Sequence, residues 1–233
     1  MLKNTLNSIS PLDGRYATKL GDLEQYFSEF ALIKNRVLVE INWLIFMSRT
    51  KSLSFVPKLS KNKETSLLKL IDEFSLKDAE QIKKIEAKTN HDVKAVEVFI
   101  GKKLESLNLK KYKEFVHLFC TSEDINNLSY NLMLKGYLDS EFKQINSSFL
   151  KDLKSKSKKW SKLSMLSFTH GQTASPTTLG KEIANFHERI KYHLNLLKSL
   201  NPSGKFNGAV GNYNAHVITC LLYTSPSPRD PNR

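Results

Sequence analysis

The sequence has 233 residues, of which 40% are hydrophobic and 25% are charged, a composition typical of a globular protein and not of a disordered chain. At about 150 residues per domain, this length predicts one or two domains. No apolar run approaches the roughly 18 residues that span a bilayer, and the N-terminal residues lack the apolar core of a secretory signal. Only two cysteines are present, Cys120 and Cys220, so we expect a reduced, cytoplasmic protein without a disulfide framework.

The net charge of +13 is a feature that nucleic-acid-binding proteins share. However, the excess comes from 30 lysines against 6 arginines, and the lysines are spread along the chain from Lys51 to Lys162. Lysine is a hydrated point charge without the planar fork that suits base and phosphate recognition. We therefore expect a solvated lysine-rich surface and do not expect nucleic acid as a partner.

Three long segments carry apolar residues at helical spacing, with little glycine or proline to interrupt them. The stripes are Phe30, Ile33, Val37, Ile41 and Leu44; Phe142, Ile145, Phe149 and Leu153, continued by Trp160 and Leu163; and Leu179, Ile183, Phe186, Ile190, Leu194, Leu197 and Leu200. Sustained alternation of period two is absent, so the sequence predicts no central sheet. The predicted fold class is all-α, with long helices that bury their stripes in the core of a bundle.

Two changes in composition predict the domain organisation. A polar, lysine-rich stretch at 105–114 separates a predicted N-terminal helical domain, residues 1–111, from a partial central helical-bundle domain, residues 112–219. After Thr219 the chain loses helical periodicity and becomes rich in Ser, Pro and Arg. Residues 220–233 resemble an adapter or cloning read-through sequence, and we expect this tail to be non-native.

Polar segments in the first half of the chain are not explained by core packing. In Ser10–Tyr16, an Asp-Gly turn presents Arg15 and Tyr16, and Arg15 is a candidate anion ligand. Farther along, Thr89 or Asn90 can cap a helix that has Asp92 in its first turn, which leaves His91 without a packing explanation.

A third polar segment begins another predicted helix. Thr121 and Asp124 approximate a capping box, and with Ser122 they form a helix start suited to an anion. His117 and Cys120 are three residues apart, but the further ligands that a zinc site needs are not evident. We therefore expect no metal, and we expect Cys120 to be a buried apolar residue.

The fourth segment, Phe168–Pro176, is predicted to be a loop between two long helices. It carries His170 and Gln172, and the ordinary pKa of histidine suits proton transfer near neutral pH. Beyond it, residues 204–216 are dense in Gly and Asn but lack the ending of a phosphate-binding P-loop.

Together these segments resemble the bacterial adenylosuccinate lyases, a family within the fumarase/aspartase superfamily. The resemblance covers about residues 5–219, with five motifs in the family's order: SPLDGRY, KTNHDVKAVE, TSEDINNLS, THGQTASP and GKFNGAVGNYNAH. It departs at Thr173 and Ser175, where a THGQPATP-like sequence is usual, and we expect those changes to be tolerated.

The resemblance implies a cytoplasmic homotetramer that needs no cofactor and eliminates fumarate from two purine nucleotides, adenylosuccinate and succinylaminoimidazole-carboxamide ribotide. It implies His170 as the general acid. The substrate-binding residues that it implies are Arg15, Tyr16, Asn90, His91, Asp92, Lys94, Thr121, Ser122 and Gln172.

The family's general base is a serine on a mobile glycine-serine loop, and the signature of that loop is absent from these 233 residues. We therefore expect the fragment, as written, to be inactive. Two alternatives stay open. One is another fumarate-releasing lyase such as argininosuccinate lyase, and the other is a non-catalytic basic helical module that oligomerises or binds nucleic acid.

Overall fold

The computed structural model describes residues 9–218, which are mainly helical. Its α-helices and β-strands are α1 (Glu24–Phe27), α2 (Glu29–Arg49), α3 (Lys61–Asp72), α4 (Leu76–Thr89), α5 (Asp92–Ser106), α6 (Ser122–Tyr137), α7 (Lys143–Lys159), β1 (Ser164–Thr169), β2 (Gln172–Thr178), α8 (Leu179–Ser199) and α9 (Asn214–Ile218). Short 3₁₀ turns occupy Ala17–Lys19, Gly21–Leu23 and Lys110–Phe115, and a π-helical turn, Leu138–Phe142, joins α6 to α7. The all-α fold class is confirmed. None of the described helices is both long and apolar enough to cross a membrane.

The described residues divide into two compact units, one of residues 9–134 with 204–218 and one of residues 135–203. The domain boundary predicted between residues 111 and 112 stays a prediction. The tail predicted to be non-native, residues 220–233, lies outside the described residues.

The core of the first unit is built around α2. Ser28 caps this helix, since its Oγ accepts the N–H of Ala31 at 3.1 Å. Of the predicted stripe, Ile33, Val37, Ile41 and Leu44 are buried and Phe30 is partly buried, and they pack with apolar residues of α3, α4 and α5 in one cluster. The prediction of a buried stripe on this helix is confirmed.

Residues 204–218 pack onto the same unit through aromatic rings. His216 is buried on α9, with the rings of Trp43, Phe119, Phe206 and Tyr213 at 5.8–6.2 Å from its own. Burial lowers the pKa of His216. The glycine-rich segment is therefore held at its C-terminal end by an aromatic cluster that includes Trp43 of α2.

The second unit contains α7 and α8, joined by β1 and β2. The helix predicted through Trp160 and Leu163 ends earlier, at Lys159, and Trp160 is its C-cap. Gly180 lies where α8 meets the end of α7, and a Cβ built there would lie 2.4 Å from the carbonyl oxygen of Ser157. This contact explains why the position is glycine.

The apolar stripes of the second unit are not buried in a core, contrary to the prediction. Ile145 and Phe149 on α7 are 59% and 47% exposed, and Phe186 on α8 is 59% exposed. The physical reason is that α7 and α8 lie against each other along one side only, and two helices cannot cover broad stripes of this length between them.

Candidate functional site

The ends of α4, α5 and α6 in the first unit bring two predicted site residues together. His91 is the N-cap of α5, and its Nδ1 accepts the N–H of Lys94 at 3.1 Å. Its other ring nitrogen, Nε2, lies 3.4 Å from the Oγ of Ser122 at the start of α6. Because Nδ1 accepts a hydrogen bond, the proton of the neutral ring lies on Nε2, and the ring donates toward the Ser122 hydroxyl. The two residues are 31 positions apart in the sequence.

The capping prediction for α5 was wrong in its choice of residue. Neither Thr89 nor Asn90 caps the helix, since Thr89 is the last residue of α4 and Asn90 follows it in the left-handed conformation, with φ of 49°. Only Asn90 and His91 connect the two helices, and asparagine tolerates positive φ better than most residues. His91 is therefore the N-cap of α5, a structural role that the sequence did not indicate.

Arg36 on α2 is a buried charged residue that the sequence analysis missed. Its Nη2 lies 2.5 Å from Oδ2 of Asp92, and its Nε donates to Oδ1 of Asn126 on α6 at 2.9 Å. Burial opposes ionisation of Asp92, but the N–H of Val93 and the charge of Arg36 outweigh it and lower the pKa of Asp92. Arg36 therefore fixes the predicted site residue Asp92 and connects the starts of α5 and α6.

A second missed charge, Glu40, lies one helical turn beyond Arg36 and is fully buried. Its Oε1 lies 2.6 Å from Nδ1 of His117. Burial raises the pKa of Glu40, and His117 offsets this only in part. Burial lowers the pKa of His117, but the hydrogen bond and charge of Glu40 outweigh it and leave that pKa raised. Arg36 and Glu40 lie next to Val37 and Ile41 of the apolar stripe of α2. Charged residues beside a stripe that is predicted to be buried are the sequence feature that could have identified them.

The neighbourhood of His117 does not form a metal centre. The Cys120 thiol faces the carbonyl oxygen of Leu118 at 3.7 Å, and burial raises its pKa. Within residues 9–218, no group of three or more His, Cys, Asp or Glu side chains is arranged to hold a metal ion.

The capping box predicted at the start of α6 is present in part. Thr121 donates its N–H to Oδ2 of Asp124 at 2.9 Å, which is the side chain to backbone half of a capping box. The Asp124 carboxylate is fully buried and receives further donors from residues 205–208, which the sequence did not suggest.

The remaining predicted residues of the first unit lie on its surface. The guanidinium carbon of Arg15 lies 4.6 Å from the centre of the Tyr16 ring, and both side chains are exposed. Lys94 is exposed and pairs with Glu97 at 2.7 Å. Among the contacts of the described residues, none joins Arg15 or Tyr16 to His91 or Ser122.

His170 and Gln172 belong to the second unit, where the segment predicted to be a loop is a β-hairpin. β1 and β2 are antiparallel, and Thr169 pairs with Gln172. His170 and Gly171 form the two-residue turn with φ of 50° and 75°, as in a type I′ turn. Pro176 lies in β2, which a two-stranded sheet permits because both strands are edge strands. The exposed imidazole of His170 is thus presented at the tip of the hairpin.

Comparisons with known proteins identify relatives of this chain. A family model described as lyase matches residues 14–221. The adenylosuccinate lyase of Legionella pneumophila (strain Corby) is 44% identical over 218 residues, which cover 93% of this chain and 48% of that protein. The adenylosuccinate lyase of Escherichia coli (strain K12) is 42% identical over 215 residues, which cover 92% of this chain and 47% of that protein. The chain therefore spans about half the length of the curated relatives that it matches.

Solved structures share the fold. The fumarate lyase of Mesorhizobium sp. BNC1 superposes with a TM-score of 0.65 at 17% identity, over 85% of this chain and 45% of that one. The fold that this chain shares with these structures is mainly helical. The chain belongs to the lyase family, because the family model matches most of its length.

Proposed function

We propose that the whole protein containing this chain is a carbon–nitrogen lyase. It eliminates fumarate from adenylosuccinate to give AMP, and from succinylaminoimidazole-carboxamide ribotide in the same pathway. The observation that carries this proposal is the approach of His91 to Ser122, which unites two of the five segments that resemble bacterial adenylosuccinate lyases. Relatives of that name, 42–44% identical over more than nine-tenths of the chain, support it.

In the proposed reaction, a base removes the proton from the carbon next to a carboxylate of the succinyl group, which gives an aci-carboxylate. The carbon–nitrogen bond then breaks, and a general acid protonates the departing nitrogen. We assign the acid to His170, whose side chain is exposed at the tip of the hairpin. The base would come from a glycine-serine loop that these 233 residues do not contain.

The start of α6 suits the succinyl carboxylate in this scheme. Thr121 and Ser122 present hydroxyl groups at the positive end of the helix dipole, where a carboxylate is stabilised. His91, which caps α5, supplies a donor beside Ser122. Asn90, Asp92 and Lys94 flank this position and are assigned to substrate binding with it.

The nucleotide part of the substrate is assigned to the remaining predicted residues. Arg15 and Tyr16, on an exposed turn, would contact the phosphate or ribose, because a guanidinium binds phosphate oxygens with its planar fork. Gln172 would support the substrate beside His170, since it begins the strand that follows the turn. A homotetramer in the cytoplasm is part of the same proposal, as is the absence of a cofactor.

The direct test is to assay the complete protein with adenylosuccinate and with argininosuccinate. We expect fumarate and AMP from adenylosuccinate and no turnover of argininosuccinate. A preference for argininosuccinate would contradict the assignment and favour the other fumarate-releasing lyase.

A second candidate function rests on the net charge of +13, which also fits a non-catalytic basic module that binds nucleic acid. Such a module should bind duplex or single-stranded nucleic acid at low salt and lose affinity steeply between about 50 and 200 mM salt. No detectable binding to nucleic acid at low salt would eliminate this alternative.

A further inference from the structure

The carboxylate of Asp124, in the first turn of α6, is fully buried and bound on both oxygens. Its Oδ1 accepts from Nζ of Lys205 at 2.8 Å and from the N–H of Asn207 at 3.1 Å. Its Oδ2 accepts the N–H of Thr121 at 2.9 Å and the N–H of Gly208 at 3.1 Å. One carboxylate therefore joins the residue before α6 to a segment more than 80 positions away.

Asn127, one turn farther along α6, binds the backbone of Lys205 in both directions. Its Oδ1 accepts the N–H of Lys205 at 2.7 Å, and its Nδ2 donates to the carbonyl oxygen of Lys205 at 2.9 Å. The neighbouring Gly204 lies so close to α6 that a Cβ there would be 2.3 Å from Cδ2 of Leu128. Side chains and close packing thus fix residues 204–208 against one face of the helix.

A buried ion pair loses the hydration of both charges, and apolar residues of similar size often stabilise a packed segment equally well. The arrangement here has two consequences that apolar residues would not provide. The same carboxylate fixes the backbone of Thr121, and the ammonium group of Lys205 cancels a negative charge at the positive end of the α6 dipole. Without Lys205, the charge of Asp124 would repel an anion bound at Thr121 and Ser122.

We propose that Asp124 and Lys205 are positioning residues, which hold Thr121 and Ser122 in the geometry that binds the succinyl carboxylate and neutralise the charge beside it. This inference rests on the proposed function, because it assigns the start of α6 to that carboxylate. It predicts that loss of the ion pair weakens binding of the dicarboxylate product more than binding of the nucleotide product.

The experiment measures inhibition of the complete enzyme by fumarate and by AMP. The variant Lys205→Gln is suitable because the Lys205 side chain is 35% exposed, so that the fold can tolerate the change. We expect the inhibition constant of fumarate to rise at least tenfold and that of AMP to change less than threefold. Lys205→Arg, which keeps the ion pair, should retain most of the fumarate affinity.

The matched control is Lys135→Gln, which removes a lysine from an exposed ion pair with Asp139 at the other end of α6. It should leave both constants unchanged. Equal changes for fumarate and AMP in Lys205→Gln would indicate a merely structural role, and unchanged fumarate inhibition would equally overturn the proposal.

A second measurement uses the 233-residue chain and separates this inference from the proposed function. Trypsin cleaves after lysine, and the bond after Lys205 is protected where Asp124 and Asn127 hold the segment. Asp124→Asn should be cleaved there at least tenfold faster than the unmodified chain, while Asp139→Asn should not. Equal cleavage would show that Asp124 does not fix residues 204–208 and would overturn this inference, whereas a complete protein that releases no fumarate would overturn the proposed function alone.

Discussion

The two nitrogens of the His91 ring have different partners, and this arrangement orients the side chain. Nδ1 accepts from the backbone at the start of α5, so the proton on Nε2 points toward Ser122 on α6. A side chain oriented in this way forms a fixed donor without a change in conformation, which is the property that stabilises charge developing in a reaction. The same residue therefore caps a helix and contributes to the candidate site.

The first prediction at the residue scale concerns His170. In the complete enzyme, His170→Ala should lower kcat by about 10²–10⁴, because this is the usual contribution of a general acid. His170→Asn is the matched control for the turn, since asparagine tolerates the positive φ of 50° at this position. Steady-state kinetics should show a similar loss for both variants. A loss below tenfold in either would remove His170 from the role of acid.

The second prediction concerns the buried pair of Glu40 and His117. Both pKa values are raised in the folded protein, so the folded state binds more protons than the unfolded state and stability falls as pH rises. The contribution of His117 is complete below its ordinary pKa of 6.5 and is lost as the pH passes its raised value. This pair should therefore contribute less stability at pH 8 than at pH 6. Urea unfolding of the unmodified chain and of Glu40→Gln at both pH values would measure this difference, because the opposite contribution of buried His216 is common to both chains.

Glu40→Gln tests the cause of that pH dependence. The variant removes the charged hydrogen-bond partner and the charge of Glu40, which are the two largest effects that raise the pKa of His117. It leaves the burial that lowers this pKa and the weaker raising effect of Glu97, so the fall in stability should shrink or disappear. Glu80→Gln, which removes an exposed acid on α4, should keep the fall of the unmodified chain. An unchanged pH dependence in Glu40→Gln would show that this pair does not control it.

The elements differ in how much of their structure could be predicted from sequence. The long helices were predictable because their apolar residues recur at helical spacing, and α2 buries its stripe as expected. The hairpin of β1 and β2 was missed because the strands are short, contain Pro176 and turn on His-Gly instead of the usual Asn-Gly. A fold class can thus be inferred from periodicity, whereas a two-residue turn depends on backbone angles that local sequence specifies weakly.

The candidate site was predictable only in part for a related reason. The segments at His91 and at Ser122 were found as polar departures from helical periodicity, but nothing local indicated that they meet. The charges that bring the elements together are Arg36, which was not recognised beside the apolar stripe of α2, and Asp124, which was recognised only as a capping residue. Long-range contacts of this kind depend on tertiary packing and are not encoded by spacing within one segment.

Gly180 provides a prediction at the scale of elements. Gly180→Ala should lower the free energy of unfolding by about 1–3 kcal/mol, because the new methyl group would collide with the backbone of Ser157, near the C-terminus of α7, and of Ser161, just beyond it. Urea titration would measure the change. Asn185→Ala, at an exposed position of the same helix, should change it by no more than about 0.5 kcal/mol. Equal effects would contradict the close approach of α8 to the end of α7.

At the scale of the whole molecule, the chain matches its curated relatives over about half their length. The exposed apolar residues of α7 and α8 fit this observation, since helices that bury such stripes elsewhere would be needed to complete a bundle. The proposed reaction also needs a base that none of the 233 residues is assigned to supply.

The corresponding prediction is that the purified 233-residue chain does not release fumarate from adenylosuccinate. The physical reason is that removal of the carbon-bound proton requires a positioned base, and the glycine-serine signature that would carry it is absent from the sequence. An assay at high protein concentration would check this. Turnover that purifies with the chain would contradict the assignment of the base.

The most direct test of the account is to sequence the source DNA across the codons for His216 to Arg233. If the chain is the first half of a fumarate-releasing lyase, the reading frame should continue past Thr219 into a glycine-serine loop and further helical segments. A natural stop after the ending CLLYTSPSPRDPNR would contradict that claim, because the protein would then lack the proposed base and the non-catalytic alternative would become the better explanation.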